Sequence, residues 1–323
     1  MVRRTFQLIP GVGPWKEKDL WARGLHTWED FPETGVVLGQ KVDGPARQRL
    51  AQAREALARR DLAALAQMIP PREHWRLYPE FARDAVYFDI ETNGKQEQEP
   101  TVVALFDATG LRVFILGRNM DELPEALAER RLWVTFNGSV FDVPVLRNYF
   151  GKRFPTPEAH IDLRFVCRRL GMGGGLKEIE DKLGLGRPPH MKGVNGWDAV
   201  LLWRAYLARG DVEALRFLVE YNLYDSFQLR SLLDTAYNRA LDDLNLETVE
   251  RLPVFERGEV LYDVSRLILE LGPTERDLNV LARVRAQVGS DEVILGLRRA
   301  ALGPGARVDA GRGRHRRPLR GRG

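Results

Sequence analysis

Asp89, Glu91, Asp142 and Asp225, with Tyr221 one helical turn before the last, are the residues of this chain whose types and spacing could do chemistry. In Ala85 to Thr92, read AVYFDIET, the β-branched and aromatic residues predict a strand. Its period of two puts Tyr87, Asp89 and Glu91 on one face and Val86, Phe88 and Ile90 on the other. Two neighbouring acids on an otherwise apolar strand are costly unless paired, protonated or bound to a cation. Mg2+ and Mn2+ take hard oxygen ligands, and two such ions about 3.5 to 4 Å apart stabilise the attacking and leaving oxygens of an in-line displacement at a phosphodiester.

The elements that must position the other residues follow from pattern. Leu132 to Phe136, LWVTF, reads as a strand that breaks at Asn137-Gly138 into a helix over Val140 to Tyr149. Asp142 falls in its first turn, where an acid is favoured by the helix dipole and Pro144 is tolerated. Asp211 to Leu233 reads as helix with a break near Asn222, and the four-residue interval puts Tyr221 and Asp225 on one face. A tyrosine there could orient a metal-activated water, although an ordinary pKa near 10 makes it a poor base. Taken singly, Asp142 also reads as an ordinary helix-start aspartate and Tyr221 as a packed core tyrosine.

YFDIET, TFNGSVFD and YNLYD, in that order, resemble the three exonuclease motifs of the DEDD superfamily on a ribonuclease H-like fold. Tyr221, where another branch has a histidine at the neighbouring position, here Glu220, makes the chain similar to the tyrosine-type branch. From Phe6 to about Leu233 it resembles the bacterial YprB-like predicted exonucleases, with LIPGVG, LWARGLHTWEDF, EHWRLYPEF, HIDLRFVCRRL and GLKEIEDKLGL as further cues. The resemblance implies a metal-dependent 3′-5′ exonuclease releasing nucleoside 5′-monophosphates with two Mg2+ or Mn2+ ions. It gives Asp89 a bridging role, Glu91 and Asp225 the tighter site, Asp142 the second ion, and Tyr221 the alignment of the nucleophile.

Three residues are expected to support that set. Asn137 matches the asparagine of the second motif and also suits a plain turn. His160 and Asp162, two apart, face one side of a strand. Cys167 is the sole cysteine and the histidines are scattered, so no zinc-ligand grouping exists. GMGGG, at Gly171 to Gly175, lacks the Lys-Ser/Thr ending of a phosphate-cradling loop and reads as a connector.

The chain has 323 residues and a formal charge of +4, but Gly303 to Gly323 holds seven arginines and one aspartate. The rest, with 42 basic and 44 acidic side chains, is close to neutral. The Arg/Gly-rich tail, 303–323, is expected to be disordered and to add salt-dependent, sequence-independent affinity for nucleic acid. A single cysteine excludes a disulfide framework, and no apolar run reaches the roughly 20 residues of a membrane span, so a cytoplasmic protein without membrane contact is expected.

Ile9 to Pro14, with Lys16, Lys18 and Leu20-Trp21, resembles the hairpin and second helix of a helix-hairpin-helix module, whose Gly11 and Gly13 would converge on a phosphate beside Lys16. Few residues precede it, and Glu17 stands where a small residue is usual. Trp75, Tyr78 and Phe81 are expected to pack against the sheet. The apolar runs AVYFDIE, TVVALF and RVFIL predict a meander continued by LWVTF and HIDL. Helices are predicted at Asp121 to Arg131, Leu176 to Leu183 and from Gly196, giving an α/β fold, a ribonuclease H-like mixed β-sheet flanked by helices. The expected divisions are a small helical N-terminal region, 1–80, the exonuclease domain, 81–240, a helical C-terminal extension, 241–302, and the tail. The alternative function is a catalytically silent nucleic-acid-binding protein that keeps the nuclease fold for docking or regulation.

Overall fold

Five strands pair into one mixed sheet: β1 (Ala85–Thr92), β2 (Pro100–Asp107), β3 (Gly110–Ile115), β4 (Leu132–Thr135) and β5 (Ala159–Asp162), in the order β3-β2-β1-β4-β5. The computed structural model describes residues 1–185 and 187–256, with Val264, Arg266 and Ile268. The meander is antiparallel, with Asp89 opposite Ala104 and Glu91 opposite Val102. β1 and β4 run parallel but pair only from Ala85–Leu132 to Tyr87–Val134. β1 therefore outruns β4, and Asp89 and Glu91, still paired with β2, lie on the extension that β4 leaves open, at the carboxyl end of a parallel pair where α/β sheets open a crevice.

Ten helices cover or precede the sheet among the described residues: α1 (Pro14–Ala22), α2 (Gln40–Ala58), α3 (Leu62–Met68), α4 (Tyr78–Phe81), α5 (Leu123–Ala128), α6 (Asp142–Phe150), α7 (Leu163–Arg169), α8 (Leu176–Lys182), α9 (Gly196–Arg209) and α10 (Val212–Asp243). The alternation of β1 decides which helix meets which face. Val86, Phe88 and Ile90 pack with Leu127 and Leu146 of α5 and α6, around Trp133. On the other face Val102 and Ala104 meet Trp203, Leu215 and Leu218 of α9 and α10, and Tyr87 joins a core with Tyr224 and Phe227. The sheet is a middle layer, so a polar residue on β1 must find its partners inside.

α10 runs 32 residues without the predicted break at Asn222. The amide there is spent on a tertiary contact, Asn222 Nδ2 donating to Asp89 Oδ2 at 3.0 Å, rather than competing with the helix backbone. Ser226, one turn on, accepts from the Asp89 amide and lies against the carbonyls of Ala104 and Asn222. α5 is shorter than the predicted Asp121 to Arg131, because a 3₁₀ turn, Met120–Glu122, takes its start. Of the helical C-terminal extension expected over 241–302, the part after 256, apart from Val264, Arg266 and Ile268, lies outside the described residues, as does the tail.

Among the described residues a 3₁₀ turn, Val2–Arg4, lies ahead of α1, where the resemblance to a helix-hairpin-helix module places a first helix. Gly11 has φ +82°, and Lys16 Nζ donates to the Gly11 carbonyl at 3.0 Å. Glu17 explains its own odd placement. It is buried and accepts from Thr5 Oγ1, the Phe6 amide, Gln7 Nε2 and Arg76, which in turn holds Glu73, itself paired with Arg169 of α7. Trp75, Tyr78 and Phe81 are buried, and Tyr78 meets the Tyr87 hydroxyl at 2.6 Å and donates to Asp234 at 3.0 Å. No helix among the described residues is long and apolar enough to cross a membrane.

Candidate metal centre

Three acids from two elements converge at the open end of β1. Asp89, Glu91 and Asp225 each present a carboxylate oxygen, and the three oxygens lie within 4.8 Å of one another. β1 supplies the first two from adjacent same-face positions, and α10 brings the third across that face. Asp142, first residue of α6, stands outside that group but lines the same cavity of about 530 Å³, as do Tyr221 and Asn137.

Crowding of like charge out of water sets the electrostatics. Burial, then the charges of Asp142, Asp225 and Glu91, hold the Asp89 carboxyl well above its ordinary range. Glu91 is raised well above its own by burial and the Asp225 charge. Burial pushes Asp142 up to about 7, against a backbone hydrogen bond from its own amide. Asp225 is raised by burial while Arg187 pulls it back. Tyr221 is raised by burial and by Asp225, so its hydroxyl keeps its proton at any physiological pH.

Two cations answer these four acids, and neither was legible in the sequence. Arg187, in the loop after α8, donates to Asp225 and to Glu180 Oε2 at 3.1 Å, and its guanidinium carbon lies 5.3 Å from the Tyr221 ring centre. Lys177 of α8 stands 4.7 Å over the same ring and donates to the Val194 carbonyl. Glu180 is fully buried beneath them, and burial pushes it up to about 8. The loop that carries Arg187 has no periodicity to announce its destination. Asn222, which fixes Asp89, was hidden inside an expected helix break.

The turn that delivers Asp142 is held from below. Asn137 sits in the left-handed region at φ 65°, and its amide donates to Asp162 Oδ1 at 2.8 Å. Asp162 also accepts from the Ser139 amide at 3.1 Å and the Arg164 amide at 3.1 Å. His160 meets Thr135 Oγ1 at 2.9 Å, and a Cβ at Gly138 would collide with that threonine side chain. His160 thus lies under the turn rather than among the carboxylates, and Asn137 lines the cavity while its Oδ1 accepts from Arg164.

The donor set fits a divalent cation. All the converging ligands are hard carboxylate oxygens, and two side-chain cations leave the four acids short of neutrality, a deficit that burial makes expensive. Trp197 and Phe141, 57% and 38% exposed, form apolar walls of the same cavity.

No curated protein matches this chain. Among solved structures, the family B DNA polymerase from the hyperthermophilic archaeon Pyrobaculum calidifontis is similar over 48% of this chain and 25% of its own length, with 14% identity and a TM-score of 0.36. The stretch from β1 through most of α10 matches a family model, RNase_H_2 of the RNase_H superfamily, and residues 86–237 therefore carry an RNase H-like domain.

Proposed function

We propose that this protein is a metal-dependent exonuclease acting on DNA or RNA ends without regard to sequence. The observation that carries the reading is the convergence of Asp89, Glu91 and Asp225 oxygens within 4.8 Å, in a cavity that Asp142 and Tyr221 also line. In this reading Asp89, Glu91 and Asp225 would hold a divalent Mg2+ or Mn2+ ion, and Asp142, across the same cavity, would help Asp89 to hold a second. Two bound divalent cations of this kind stabilise the attacking and leaving oxygens of phosphodiester hydrolysis.

The chain's own residues do the rest. Asn222 fixes the Asp89 carboxylate from α10. Tyr221, protonated, orients the attacking water and leaves proton removal to another group. Trp197 and Phe141 offer faces on which a terminal base stacks. Tyr221 one turn before Asp225, together with the three ordered motifs, supports the tyrosine-type DEDD branch and the YprB-like exonucleases within it. That kinship supports 3′-5′ polarity and release of nucleoside 5′-monophosphates.

The test is hydrolysis of 3′-labelled and 5′-labelled single-stranded and duplex DNA and RNA, with Mg2+, Mn2+ or chelator. We expect metal-dependent shortening from the 3′ end that is abolished in Asp89→Ala. Binding without cutting of any substrate, or cutting undiminished in Asp89→Ala, would favour a silent nucleic-acid-binding protein or a contaminant and remove the proposal.

A further inference from the structure

A second cavity, about 590 Å³, adjoins the acid cavity and shares Phe136, Asn137 and Gly175 with it. Its charge is opposite. Arg164 and Arg168, one turn apart on α7, line it, and both are exposed. Arg164 Nη1 donates to Asn137 Oδ1, and neither arginine has a carboxylate partner among the described residues. That is unlike Arg112, Arg130, Arg131 and Arg153, each of which answers a carboxylate.

An exposed surface arginine ordinarily loses little by pairing loosely or not at all, so one free guanidinium means nothing. Two on one helix face, lining a groove that opens beside an acidic pocket, form a directed pattern. Guanidinium forks match phosphate oxygens bidentately, and the one-turn interval presents two forks along one line. Asn137 joins the two compartments, since it stands in the common wall and is bonded to Arg164. A chain threading both would meet arginines at its phosphates first and carboxylates at its end. A single strand can lay its backbone on the arginines and stack its last unpaired base against Trp197 or Phe141, a contact that a base held in a duplex stack does not offer.

We propose that the groove lined by Arg164 and Arg168 holds the phosphates of a single-stranded nucleic acid whose end lies in the acid cavity. The assignment rests on the nuclease reading of that cavity, and it narrows the substrate to a single-stranded end.

The experiment measures binding, so that it stands apart from turnover. The full chain is titrated, in chelator, into a fluorescent single-stranded DNA or RNA of about eight nucleotides, at salt concentrations between about 50 and 200 mM. Arg164→Gln/Arg168→Gln is compared with Arg23→Gln/Arg59→Gln, which removes equal charge outside both cavities. We expect the groove variant to bind about tenfold or more weakly and to lose about 1.4 from the slope of log K against log salt, about 0.7 for each single-strand phosphate contact. The control variant should bind as wild type does, and a blunt duplex should bind less tightly than the single strand. Equal binding by the two double variants, an unchanged slope, or preference for the duplex overturns the proposal, as does absence of single-strand binding by wild type. If the wild type binds in this pattern yet cuts nothing with Mg2+ or Mn2+, the nuclease reading fails while the groove stands.

Discussion

Arg187 donates to Asp225 from inside the cavity, and the same guanidinium holds Glu180 at 3.1 Å, so one of the converging acids already has a resident cation. A divalent ion that uses Asp225 must share or displace that bond. Arg187→Gln is therefore expected to tighten Mn2+ binding about tenfold, or about 1.4 kcal/mol, by removing a competitor and a like charge. Titration calorimetry and Mn2+ electron paramagnetic resonance read this directly, and weaker or equal binding would refute it. In the metal-free state the same variant should melt lower, because it leaves buried acids without their counter-ion.

Tyr221→Phe should lower kcat by about 10- to 100-fold and leave KM and the fold unchanged, since it removes water alignment and not a metal ligand. The pH profile should keep its shape, because the hydroxyl of Tyr221 holds its proton across the accessible range. A shift of the profile would mean that Tyr221 acts as a base. Circular dichroism and metal affinity matching wild type exclude a folding defect.

His160 gives the pH prediction. Burial holds its ring at about 4, below the ordinary 6.5, so the unfolded chain takes up a proton that the folded one resists. Its contribution to stability is complete above about pH 6.5 and is lost as the pH falls toward 4, about 2 kcal/mol between pH 7 and pH 5. The raised carboxylates at Asp89 and Glu91 work in the opposite sense, since the folded state holds their protons more tightly. Urea denaturation of wild type and His160→Asn isolates the histidine. The variant should lose less stability on acidification, and identical pH slopes would refute the assignment.

Arg76→Met breaks a network in which Glu17, Glu73 and Arg76 are all nearly inaccessible to solvent. Removing one member of a buried pair costs about 3 to 5 kcal/mol, because the remaining charge is left bare. Thermal and urea unfolding should show that loss. A triple replacement, Glu17→Leu with Glu73→Leu and Arg76→Met, should recover much of it, which separates stranded charge from lost packing.

Gly138→Ala should impair the turn ahead of α6. An added Cβ meets the Thr135 side chain, which also carries the contact to His160. The backbone must shift where Asp142 begins its helix, so we expect a loss of metal affinity together with a fall of about 1 to 3 kcal/mol in stability. A structure of the variant with Asp142 undisplaced would contradict this.

The sheet was legible because β1 obeys a period of two and carries its acids in phase with it. The motif match of residues 86–237 and the mixed sheet agree with the α/β ribonuclease H-like expectation. What remained hidden depended on distant partners. Glu17 looks misplaced in a hairpin until Arg76, 59 residues later, closes on it. Asn222 looked like a helix breaker because its propensity is local and its bond to Asp89 spans 133 residues. Lys177 and Arg187 reach Tyr221 from α8 and from the irregular loop after it, and neither sequence neighbourhood signals that meeting.

The bond between Glu17 and Arg76 sets where this protein can be shortened. Cutting just ahead of Ala85, the natural place to excise the sheet by pattern alone, would discard Glu17, Glu73 and Arg76 together and leave Arg169 without the Glu73 carboxylate that it answers. It would also strip Tyr87 of its phenol neighbour at Tyr78. A minimal fragment for crystallography or assay should therefore begin no later than Thr5, and shorter versions are expected to aggregate on expression.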